Sequence, residues 1–569
     1  MMLRRFIPLL DWLPAYNREA LFSDTVAAVI VAAMLIPQAL AYALLANLPP
    51  QAGLYASVLP LMLYAVFGSS RTLSVGPVAV IALMTAAALA PLAQPGSAAY
   101  LGLALLLAFI SGLFLLLAGI LRLGFLANFL SHPVISGFVS ASGIVIAASQ
   151  LKHLLGIEAA GHNLIGVMEQ LWLHRGGINM PTLLVGAGSL LFLVVARRYL
   201  QVLMVALGLS GRWAAIVAKA APVFLVVGAT LIAWWYQLDR QGVAVVGSVP
   251  GGLPGLTLPT PDLSLWRQLA VSGLLISIVG FVQSISVAQT LAARRRERID
   301  PDQELVGLGA ANIGAGLFGG MPVSGGLSRS VVSFDAGART PATGFFAAVG
   351  MALAVLLLTP AIAYLPKATL AATIVVAVLS LVDVKAFIST FRYSRADFLA
   401  MLATLVLTLS YSIEAGIVAG VGLSIGLFLY RTSRPHSALI GRVPGTEHFR
   451  NVERHEVETD PQVAFYRIDE SLYFANARFL EESILELVSR RPELTDIVLV
   501  CPAVNLIDSS ALESLEMINE RLEDSGVRLH MAEVKGPVMD SLKHSSLLSA
   551  LSGQVFLSTF QAWQCLTHR

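Results

Sequence analysis

Charged side chains are scarce in this sequence of 569 residues. Asp, Glu, Lys and Arg make up 13% of the chain, against about 25% in an average soluble domain. Hydrophobic residues make up 56%, and the mean hydropathy is +0.76. This composition excludes a disordered chain and a soluble enzyme with an ordinary surface. The net charge of +2 offers no field that attracts polyanions, so no nucleic acid partner is expected.

Cysteines and recognisable catalytic motifs are also scarce. The two cysteines, Cys501 and Cys565, give no disulfide framework, which favours a reducing compartment. The histidines before residue 435 are scattered without the spacing of a metal site, so no metal cofactor is expected. The sequence contains no Walker A motif for direct use of ATP and no nucleophile–base set for hydrolysis. We therefore expect a secondary transporter or a channel, and no enzyme.

The few charges are unevenly distributed. Of residues 1–430, 38 are charged (about 9%), whereas 34 of residues 431–569 are charged (about 24%), which is ordinary for a soluble domain. We predict a cytoplasmic N-terminal segment at 1–23, a transmembrane transport domain at 24–434 and a cytoplasmic domain at 435–569. The charges and prolines near the N-terminus do not form a cleavable signal peptide.

Apolar segments occur fourteen times before residue 435. Several are shorter than the roughly 20 residues that a helix needs to cross a hydrocarbon core of about 30 Å. They span residues 24–46, 53–67, 78–92, 98–121, 130–150, 181–198, 213–236, 268–292, 304–318, 328–338, 342–364, 368–382, 396–412 and 414–430. Arginines cluster after even-numbered segments, as expected of cytoplasmic connections when the N-terminus is inside. The even count predicts that both termini are cytoplasmic.

The third segment (78–92) and the tenth (328–338) follow similar glycine-rich stretches. Before them lie Ser74-Val75-Gly76-Pro77 and Ser324-Gly325-Gly326, respectively. The two segments are seven positions apart, an odd number, so they would enter the membrane from opposite sides. This pattern indicates an inverted repeat whose broken helices meet at the midplane, although glycine and proline between helices are common in membrane proteins generally.

A helix that begins inside a membrane leaves N–H groups there without partners, and these groups favour an anion. The candidate first turns are Pro77-Val78-Ala79 and Leu327-Ser328-Arg329. Arg329 adds a full positive charge, which is costly inside a membrane unless it is functional or paired. It could instead be an arginine at a helix end, with its charged group reaching the membrane surface.

Gln38 and Tyr42 lie four residues apart on the first long helix and therefore share one face. A polar amide in an uncharged window needs a partner. That partner is either a side chain on a neighbouring helix or a substrate, and the spacing does not distinguish the two.

The tail alternates between strand-like and helix-like stretches. Val463–Ile468, Ile497–Cys501 and Val527–Ala532 have the pattern of strands, and Ala477–Ser489 and Ser509–Asp524 that of amphipathic helices. This order predicts a small α/β domain with a buried sheet.

Several of these stretches together resemble the SulP family, the sulfate permeases and related animal anion exchangers. The resemblance is carried by LIPQALAYALLANLPPQAGLYASVLP (35–60), FGSSRTLSVGPVAV (67–80), HPVISGFVSASGIVIAASQLKHLLG (132–156), GFVQSISVAQTLA (280–292) and DQELVGLGAANIGAGLFGGMPVSGGLSRSVV (302–332). In the tail, SLYFANARFLEESI (471–484) and VLVCPAVNLIDSSALESLEMI (498–518) resemble the STAS domain of that family.

The resemblance implies a polytopic α-helical body of 14 segments, arranged as two inverted seven-segment repeats that form a core and a gate, followed by a cytoplasmic α/β STAS domain. It places an anion between the third and tenth helices and implies an elevator-like movement of the core against the gate. The substrate-binding positions carried over from it are Gln38, Tyr42, Val78, Leu327, Ser328 and Arg329.

The sequence departs from the family pattern in the eighth helix. Many bacterial and plant members have an acidic residue there that is linked to proton or sodium coupling, but this chain has Gln283, next to Ser284. Because glutamine does not titrate, a carboxylate proton relay is in doubt at this position. The departure favours exchange or uncoupled transport and leaves the coupling ion open.

The STAS resemblance bears on regulation and assembly. In soluble relatives, the turn occupied here by Asp508, Ser509 and Ser510 can contain a phosphorylated serine, but the same residues are also typical of a helix N-cap. The family further implies a homodimer, formed partly through this domain, and leaves room for a cytoplasmic regulatory partner.

The leading hypothesis is a transporter in the cytoplasmic membrane for a small inorganic or carboxylate anion, such as sulfate, bicarbonate, chloride or a dicarboxylate. Nucleobase transport is disfavoured because it usually needs paired carboxylates, whereas this chain has Gln283 and Arg329. Two competing hypotheses are a channel-like conductor and an anion-sensing scaffold that signals through the STAS domain.

Overall fold

The computed structural model describes residues 7–129, 131–158, 161, 163–248 and 250–567. Residues 1–6 of the predicted N-terminal segment and residues 568 and 569 of the predicted STAS domain therefore lie outside the described part. The chain forms two compact units, Met1–Leu423 and Ser424–Arg569. Each unit buries its own hydrophobic core.

The first unit is helical, because long apolar runs can bury their side chains on most faces while their backbone groups pair within the helix. Side-chain caps begin several helices; Asn17, for example, accepts a hydrogen bond from the N–H of Ala20 (2.9 Å). The helices are α1 Leu9–Trp12, α2 Arg18–Leu45, α3 Pro50–Tyr55, α4 Leu59–Phe67, α5 Ala79–Leu89, α6 Ala98–Ile120, α7 His132–Leu155, α8 Leu164–Leu173, α9 Met180–Val195, α10 Gln201–Ala206, α11 Gly211–Lys219, α12 Ala221–Tyr236, α13 Leu263–Arg295, α14 Pro301–Leu317, α15 Leu327–Ala336, α16 Ala342–Leu357, α17 Thr359–Ile362, α18 Lys367–Leu379, α19 Val384–Tyr393, α20 Arg395–Ser410 and α21 Ile413–Ser433. Two short strands accompany them, β1 Val75–Gly76 and β2 Ser324–Gly325.

Helix length and apolar composition identify eight membrane spans within the described residues. A ninth is added if α11 and α12, which are bent by 49° at their junction, count as one span. The other predicted segments, the third, ninth, tenth, eleventh and thirteenth, are also helices but are shorter. The fourteen predicted segments are thus present as helices, and the sequence analysis missed the longer α8 and α19 and the short α1 and α10.

The membrane helices pack into two groups. In the first group, α6 packs against α13 and α14, α14 against α4, and α16 against α2. In the second group, α7 packs against α18 and α20, and α9 against α18. We call these groups the core and the gate, with the half-helices α5 and α15 in the core and α11 and α12 in the gate. The main contacts between the groups involve α2 against α12 and α18, and α11 against α15.

The second unit is the α/β domain predicted for the tail. Its elements are β3 Ser437–Arg442, β4 Phe449–Asn451, β5 Val463–Ile468, α22 Ala477–Arg490, β6 Asp496–Val500, α23 Ser509–Asp524, β7 Arg528–Ala532, α24 Gly536–Leu542, α25 Leu547–Ala550, β8 Val555–Phe556 and α26 Thr559–Thr567. Strands β5 to β8 are parallel, and β3 joins antiparallel to β5, giving the order β4-β3-β5-β6-β7-β8.

Alternating side chains give this sheet two apolar faces. Tyr466 and Leu499 belong to the core that contains α22 and α23, whereas Phe465 and Val498 face the core that contains Trp563 of α26. The three predicted strands and two predicted helices are present, with ends shifted by at most one residue. The sequence analysis missed the antiparallel edge (β3 and β4), the short strand β8 and the last three helices.

A charged cluster at the start of β6 holds the parallel strands in register. The buried Asp496 accepts hydrogen bonds from His530 Nε2 (2.8 Å), Arg528 Nη2 (3.0 Å) and Thr495 Oγ1 (2.8 Å). Burial raises the pKa of this carboxyl, but the hydrogen bonds from His530, Thr495 and Arg528 outweigh it, and the pKa lies below its usual value.

We expect Asp496→Asn to lower the stability of this unit by about 1.5–3 kcal/mol at neutral pH, the range for hydrogen bonds to a charged group. Because the folded-state pKa is lowered, the contribution is complete above pH ~4, the usual carboxyl range, and is lost as the pH falls through the lowered value. Hydrogen exchange of β6 and β7 in the purified full-length protein measures the effect. Arg478→Ala, which removes an exposed ion pair with Glu482, serves as the control and should leave exchange unchanged; equal exchange in both variants would contradict the assignment.

Candidate anion-binding site

Two short strands bring the starts of the half-helices together. Strand β1 pairs antiparallel with β2, and the N–H of Gly326 donates to the carbonyl of Ser74 (3.0 Å). Helix α5 begins three residues after β1, and α15 begins two residues after β2. The antiparallel pairing agrees with the predicted inverted repeat, because two halves that enter from opposite sides present these segments in opposite directions.

Helix α13 anchors this two-stranded ladder. The Oγ of Ser284 accepts a hydrogen bond from the N–H of Gly325 (2.8 Å) and lies 3.0 Å from the Oγ of Ser324. Both hydroxyls lie within donating distance of the Gly280 carbonyl, at 2.6 and 2.8 Å. Gln283 precedes this anchor and is partly buried, outside the residues that line the cavity described below.

Asn312 and Ser330 complete the support of the ladder. The amide of Asn312 pairs with both backbone groups of Val323, each at 2.9 Å. The Oγ of Ser330 accepts from the N–H of Ser74 at 2.9 Å. Irregular backbone inside a membrane protein must be satisfied by protein groups, and these side chains meet that requirement. A buried amide in an apolar helix is the signal that could have identified Asn312 from the sequence.

The half-helices themselves begin without side-chain caps. Val78 and Gly326 occupy the positions before α5 and α15, and neither side chain can accept a hydrogen bond. By contrast, Asn17, Asp262 and Asp300 cap α2, α13 and α14. The free N–H groups of the two first turns leave positive partial charge where the helix starts meet.

The guanidinium of Arg329 lies between the two helix starts. The side chain is 2% exposed, and its Nη1 donates to the Gln38 Oε1 (3.0 Å) and to the Pro77 carbonyl (2.9 Å). A methyl group on Gly326 would lie 2.7 Å from the Arg329 Cζ, so glycine leaves the space that the guanidinium fills. The Nε and Nη2 groups have no hydrogen-bond partner among the described residues. A buried donor without a partner is unfavourable, so this site lacks an acceptor.

Arg329 also fixes the orientation of Gln38. Because a guanidinium can only donate, Gln38 must turn its carbonyl oxygen towards it, and the amide NH2 is left to face elsewhere. Gln38 lines a cavity of about 410 Å³ together with Tyr42 and Ser328. The hydroxyls of Tyr42 and Ser328 form no hydrogen bond with the described residues. On its core side, the cavity therefore presents one amide and two hydroxyl groups as donors, with a buried positive charge directly behind them.

The structure thus brings four of the six predicted binding residues together. Gln38, Tyr42 and Ser328 line the cavity, and Arg329 supports Gln38 from behind. Val78 is buried at the start of α5, and Leu327 is 43% exposed; neither lines the cavity. Because neither side chain reaches the cavity, only the backbone N–H groups of these two residues remain as candidate contacts for an anion.

The sequence analysis missed two cationic residues in the cavity wall. Arg197 and Lys219 line it from the gate, on the segment between α9 and α10 and at the end of α11. Only the three-dimensional structure connects them to Gln38, because the sequence shows Arg197 as one of several charges at membrane helix ends.

Two buried carboxylates hold the loops next to the half-helices. Glu304 accepts hydrogen bonds from the Tyr64 hydroxyl (2.8 Å) and from the backbone N–H groups of Ser69 (2.9 Å) and Ser70 (2.8 Å), just before β1. Asp24 does the same for the loop after α15, where it accepts from the Arg339 N–H (2.6 Å). The sequence analysis named neither residue; each stands at the first position of a predicted apolar segment.

In the STAS-like unit, Asp508 is the N-cap of α23. Its Oδ1 accepts from the Ala511 N–H (2.9 Å), and its Oδ2 accepts from the Phe474 N–H (2.9 Å). This geometry supports the N-cap interpretation for the acidic residue of the turn. Ser509 and Ser510 are exposed at the first two positions of the helix, so the question of their phosphorylation stays open to experiment.

Comparison with known proteins agrees with this architecture. The model of the sulfate permease family matches residues 21–404, and that of the STAS domain matches residues 454–562. "Probable sulfate transporter 4.2" of Arabidopsis thaliana is 33% identical over 99% of this chain and 83% of its own length. A "probable sulfate transporter" of Mycobacterium tuberculosis is 34% identical over 97% of both chains.

Solved structures share the fold at lower identity. The murine Solute Carrier 26 family member A9 anion transporter in the inward-facing state matches with a TM-score of 0.89 and 22% identity, over 100% of this chain and 95% of its own. The transmembrane domain of the cyanobacterial bicarbonate transporter BicA matches with a TM-score of 0.60 and 24% identity, over 70% of this chain and 98% of its own.

The family models and the relatives identify a multi-pass membrane protein of the anion transporter class, with a C-terminal STAS domain. The chain belongs to the sulfate permease family, as its sequence motifs predicted.

The anchor at Ser284 gives a direct test of the site's scaffold. We expect Ser284→Ala to destabilise the β1–β2 ladder by about 1–3 kcal/mol, because the N–H of Gly325 loses its acceptor inside the core. Hydrogen exchange of peptides that cover residues 74–78 and 324–328 measures this. The control is Ser286→Ala, an exposed position two residues further along α13. Faster exchange in both variants, or in neither, would contradict the anchoring role.

Proposed function

We propose that this protein is a secondary transporter that moves small anions across the cytoplasmic membrane by elevator-like alternating access. The substrate class is inorganic or carboxylate anions, such as sulfate, bicarbonate, chloride or a dicarboxylate. The anion is held between the N-termini of α5 and α15.

The observation that supports this proposal is the incomplete pairing of Arg329. Its guanidinium is buried between two uncapped helix starts, and its Nε and Nη2 have no acceptor among the described residues. An anion that enters from the Gln38 side supplies the missing lone pairs and neutralises a charge that is otherwise unfavourable inside a membrane. The amide of Gln38 and the hydroxyls of Tyr42 and Ser328 complete a set of donors without a carboxylate to repel the ligand.

The boundary between core and gate suits an alternating-access cycle. The core contributes Gln38, Tyr42 and Ser328 to the cavity, whereas the gate contributes Leu193 and Thr373 among others. A site carried on the core can move past a fixed gate without loss of its own hydrogen bonds, because Ser284, Asn312 and Ser330 hold the two helix starts within the core.

Gln283 favours exchange or uncoupled transport, because an amide cannot release a proton at this position of α13. Proton or sodium coupling through another residue is the competing possibility, and a channel-like conductor is a different mode of flux. The cytoplasmic location of both termini, a homodimer and a regulatory partner at the STAS domain belong to the same proposal.

Flux into proteoliposomes tests the proposed function. We expect uptake of at least one of sulfate, bicarbonate, chloride and a dicarboxylate, and Arg329→Gln should raise its KM about 10- to 100-fold, since charge-assisted hydrogen bonds contribute about 1.5–3 kcal/mol. Arg329→Lys keeps the charge but not the planar fork of donors, so it should recover part of the loss. Arg392→Gln, the same change at an exposed position, is the control.

Each competing function gives a different result. A scaffold shows no flux of any of the four anions in the wild-type protein, which would overturn the proposal. A channel-like conductor gives currents that do not depend on an anion on the opposite side, whereas an exchanger requires one. Applied proton and sodium gradients identify a coupling ion if either one drives accumulation.

Gly326 gives a second test that leaves the charge in place. In Gly326→Ala the new methyl group meets only the movable end of Arg329, so we expect the protein to fold while the guanidinium is displaced from Gln38. The KM should rise, but by less than in Arg329→Gln. Gly422→Ala, where the methyl group meets no atom within 4 Å, is the matched control. An unchanged KM in Gly326→Ala would contradict the role of the Arg329–Gln38 pair.

A further inference from the structure

We propose that Lys219 and Arg197 form a second anion subsite on the gate, and that Lys219 alternates between this anion and Asp335 of the core. The inference deepens the proposed function and rests on it. Its ligand is the same small anion, held on its way to the site between the half-helices.

The first support is the shared cavity. Arg197, Gln201 and Lys219 line the same space as Gln38 and Ser328. Arg197 lies just after α9, and Lys219 lies just before α12, so both cations lie where these two gate helices join the segment that contains α10 and α11. An anion that enters from this side therefore meets Arg197 and Lys219 before it reaches the core site.

The second support is an ion pair that joins gate and core. Lys219 Nζ pairs with the carboxylate of Asp335, and the two side chains are 38% and 35% exposed. Asp335 lies in the last turn of α15, the helix whose first turn belongs to the candidate anion site. A carboxylate near a helix C-terminus is disfavoured by the helix dipole, so the positive charge of Lys219 stabilises Asp335.

A neighbouring cation shows how this end of α15 is stabilised. Arg295 donates to the Ala338 carbonyl (2.5 Å) and stacks on the ring of Phe334 at 4.5 Å. Arg295 belongs to α13 in the core and stays with α15 when the core moves. Lys219 belongs to the gate, so the Lys219–Asp335 pair is an ion pair between gate and core that must break when the two separate.

The third support is the position of Arg197. It lies in a π-helical turn, Ala196–Leu200, between α9 and α10. Such turns are rare in proteins overall, but those that occur are often at functional sites, because the wider turn redirects side chains. Within the described part of the chain, Arg197 forms no hydrogen bond or ion pair, and its side chain is exposed. Its charge is therefore available to an anion in the cavity.

Lys219 can switch reversibly between Asp335 and an anion in the cavity. Exposed ion pairs contribute little net free energy, so an anion in the cavity can compete with Asp335 for Lys219. Arg197 then adds a second cation on the same side of the anion. When Lys219 contacts the anion, it no longer pairs with Asp335, so entry of the anion removes this ion pair between gate and core.

Four variants separate the subsite from a purely structural ion pair. Lys219→Gln removes both the cation of the subsite and the ion pair with Asp335, whereas Asp335→Asn removes only the ion pair. The swap Lys219→Asp with Asp335→Lys keeps an ion pair but places a negative charge in the cavity. Arg197→Gln removes the second cation alone. Lys385→Gln, an exposed lysine on α19, is the control, and Lys219→Arg is the conservative replacement.

The measurement is uptake of radiolabelled sulfate into proteoliposomes as a function of its concentration, with the thermal stability of each variant recorded. We expect the KM to rise about tenfold or more in Lys219→Gln and in the swap, and about threefold in Arg197→Gln. It should stay the same or fall in Asp335→Asn, because Lys219 is then free for the anion, while Vmax changes. Lys219→Arg should behave like the wild type.

Three results would contradict this inference. If the swap restores the wild-type KM, Lys219 is only a partner of Asp335 and the subsite is wrong. If the wild type transports sulfate and Arg329→Gln impairs it, but Lys219→Gln and Arg197→Gln leave the KM unchanged, this inference fails while the proposed function stands. If the wild type transports none of the four anions named above, both fail together.

Discussion

The organisation of this protein depends on one constraint: a guanidinium inside a membrane can only donate hydrogen bonds, so each of its N–H groups needs an acceptor. Arg329 has two acceptors, the Gln38 side chain in α2 and the Pro77 carbonyl in the link between β1 and α5. Both are satisfied by Nη1, which leaves Nε and Nη2 without a partner among the described residues. This position therefore combines unpaired donors with the positive partial charge of two uncapped helix starts.

The rest of the core keeps that position rigid. The two-residue strands before α5 and α15 are too short to be stable alone, and they are held by side chains from other helices: Ser284 from α13, Asn312 from α14 and Ser330 from α15. Glu304 and Asp24 fix the adjoining loops. The gate contributes a different kind of contact, the exposed pair of Lys219 and Asp335. The proposed movement of the core as one body would keep these internal hydrogen bonds and break the exposed ion pair.

The sequence predicted much of this architecture because its signals were local. Uncharged windows, helix-ending glycines and the similar stretches before residues 78 and 328 identified the helices and the inverted repeat, and the STAS motifs identified the tail. Helices α8 and α19 were missed because they are short and interrupted by charged or polar residues. Ser284, Arg197 and Lys219 were missed as parts of the site because the residues they meet there lie far away along the chain. Asn312 was missed although its partner, Val323, is only 11 residues away, because the backbone turn that it supports is not visible as a pattern.

By itself, the sequence determined the membrane class, the helical segments, the family and the presence of an arginine at the start of a half-helix. It could do so because hydropathy and motifs are properties of neighbouring residues. Only the tertiary structure decided which way Gln38 faces, that Val78 and Leu327 stay outside the cavity, and that gate cations share it. These outcomes depend on hydrogen-bond direction and on packing between segments more than a hundred residues apart, and no local pattern in a sequence encodes them.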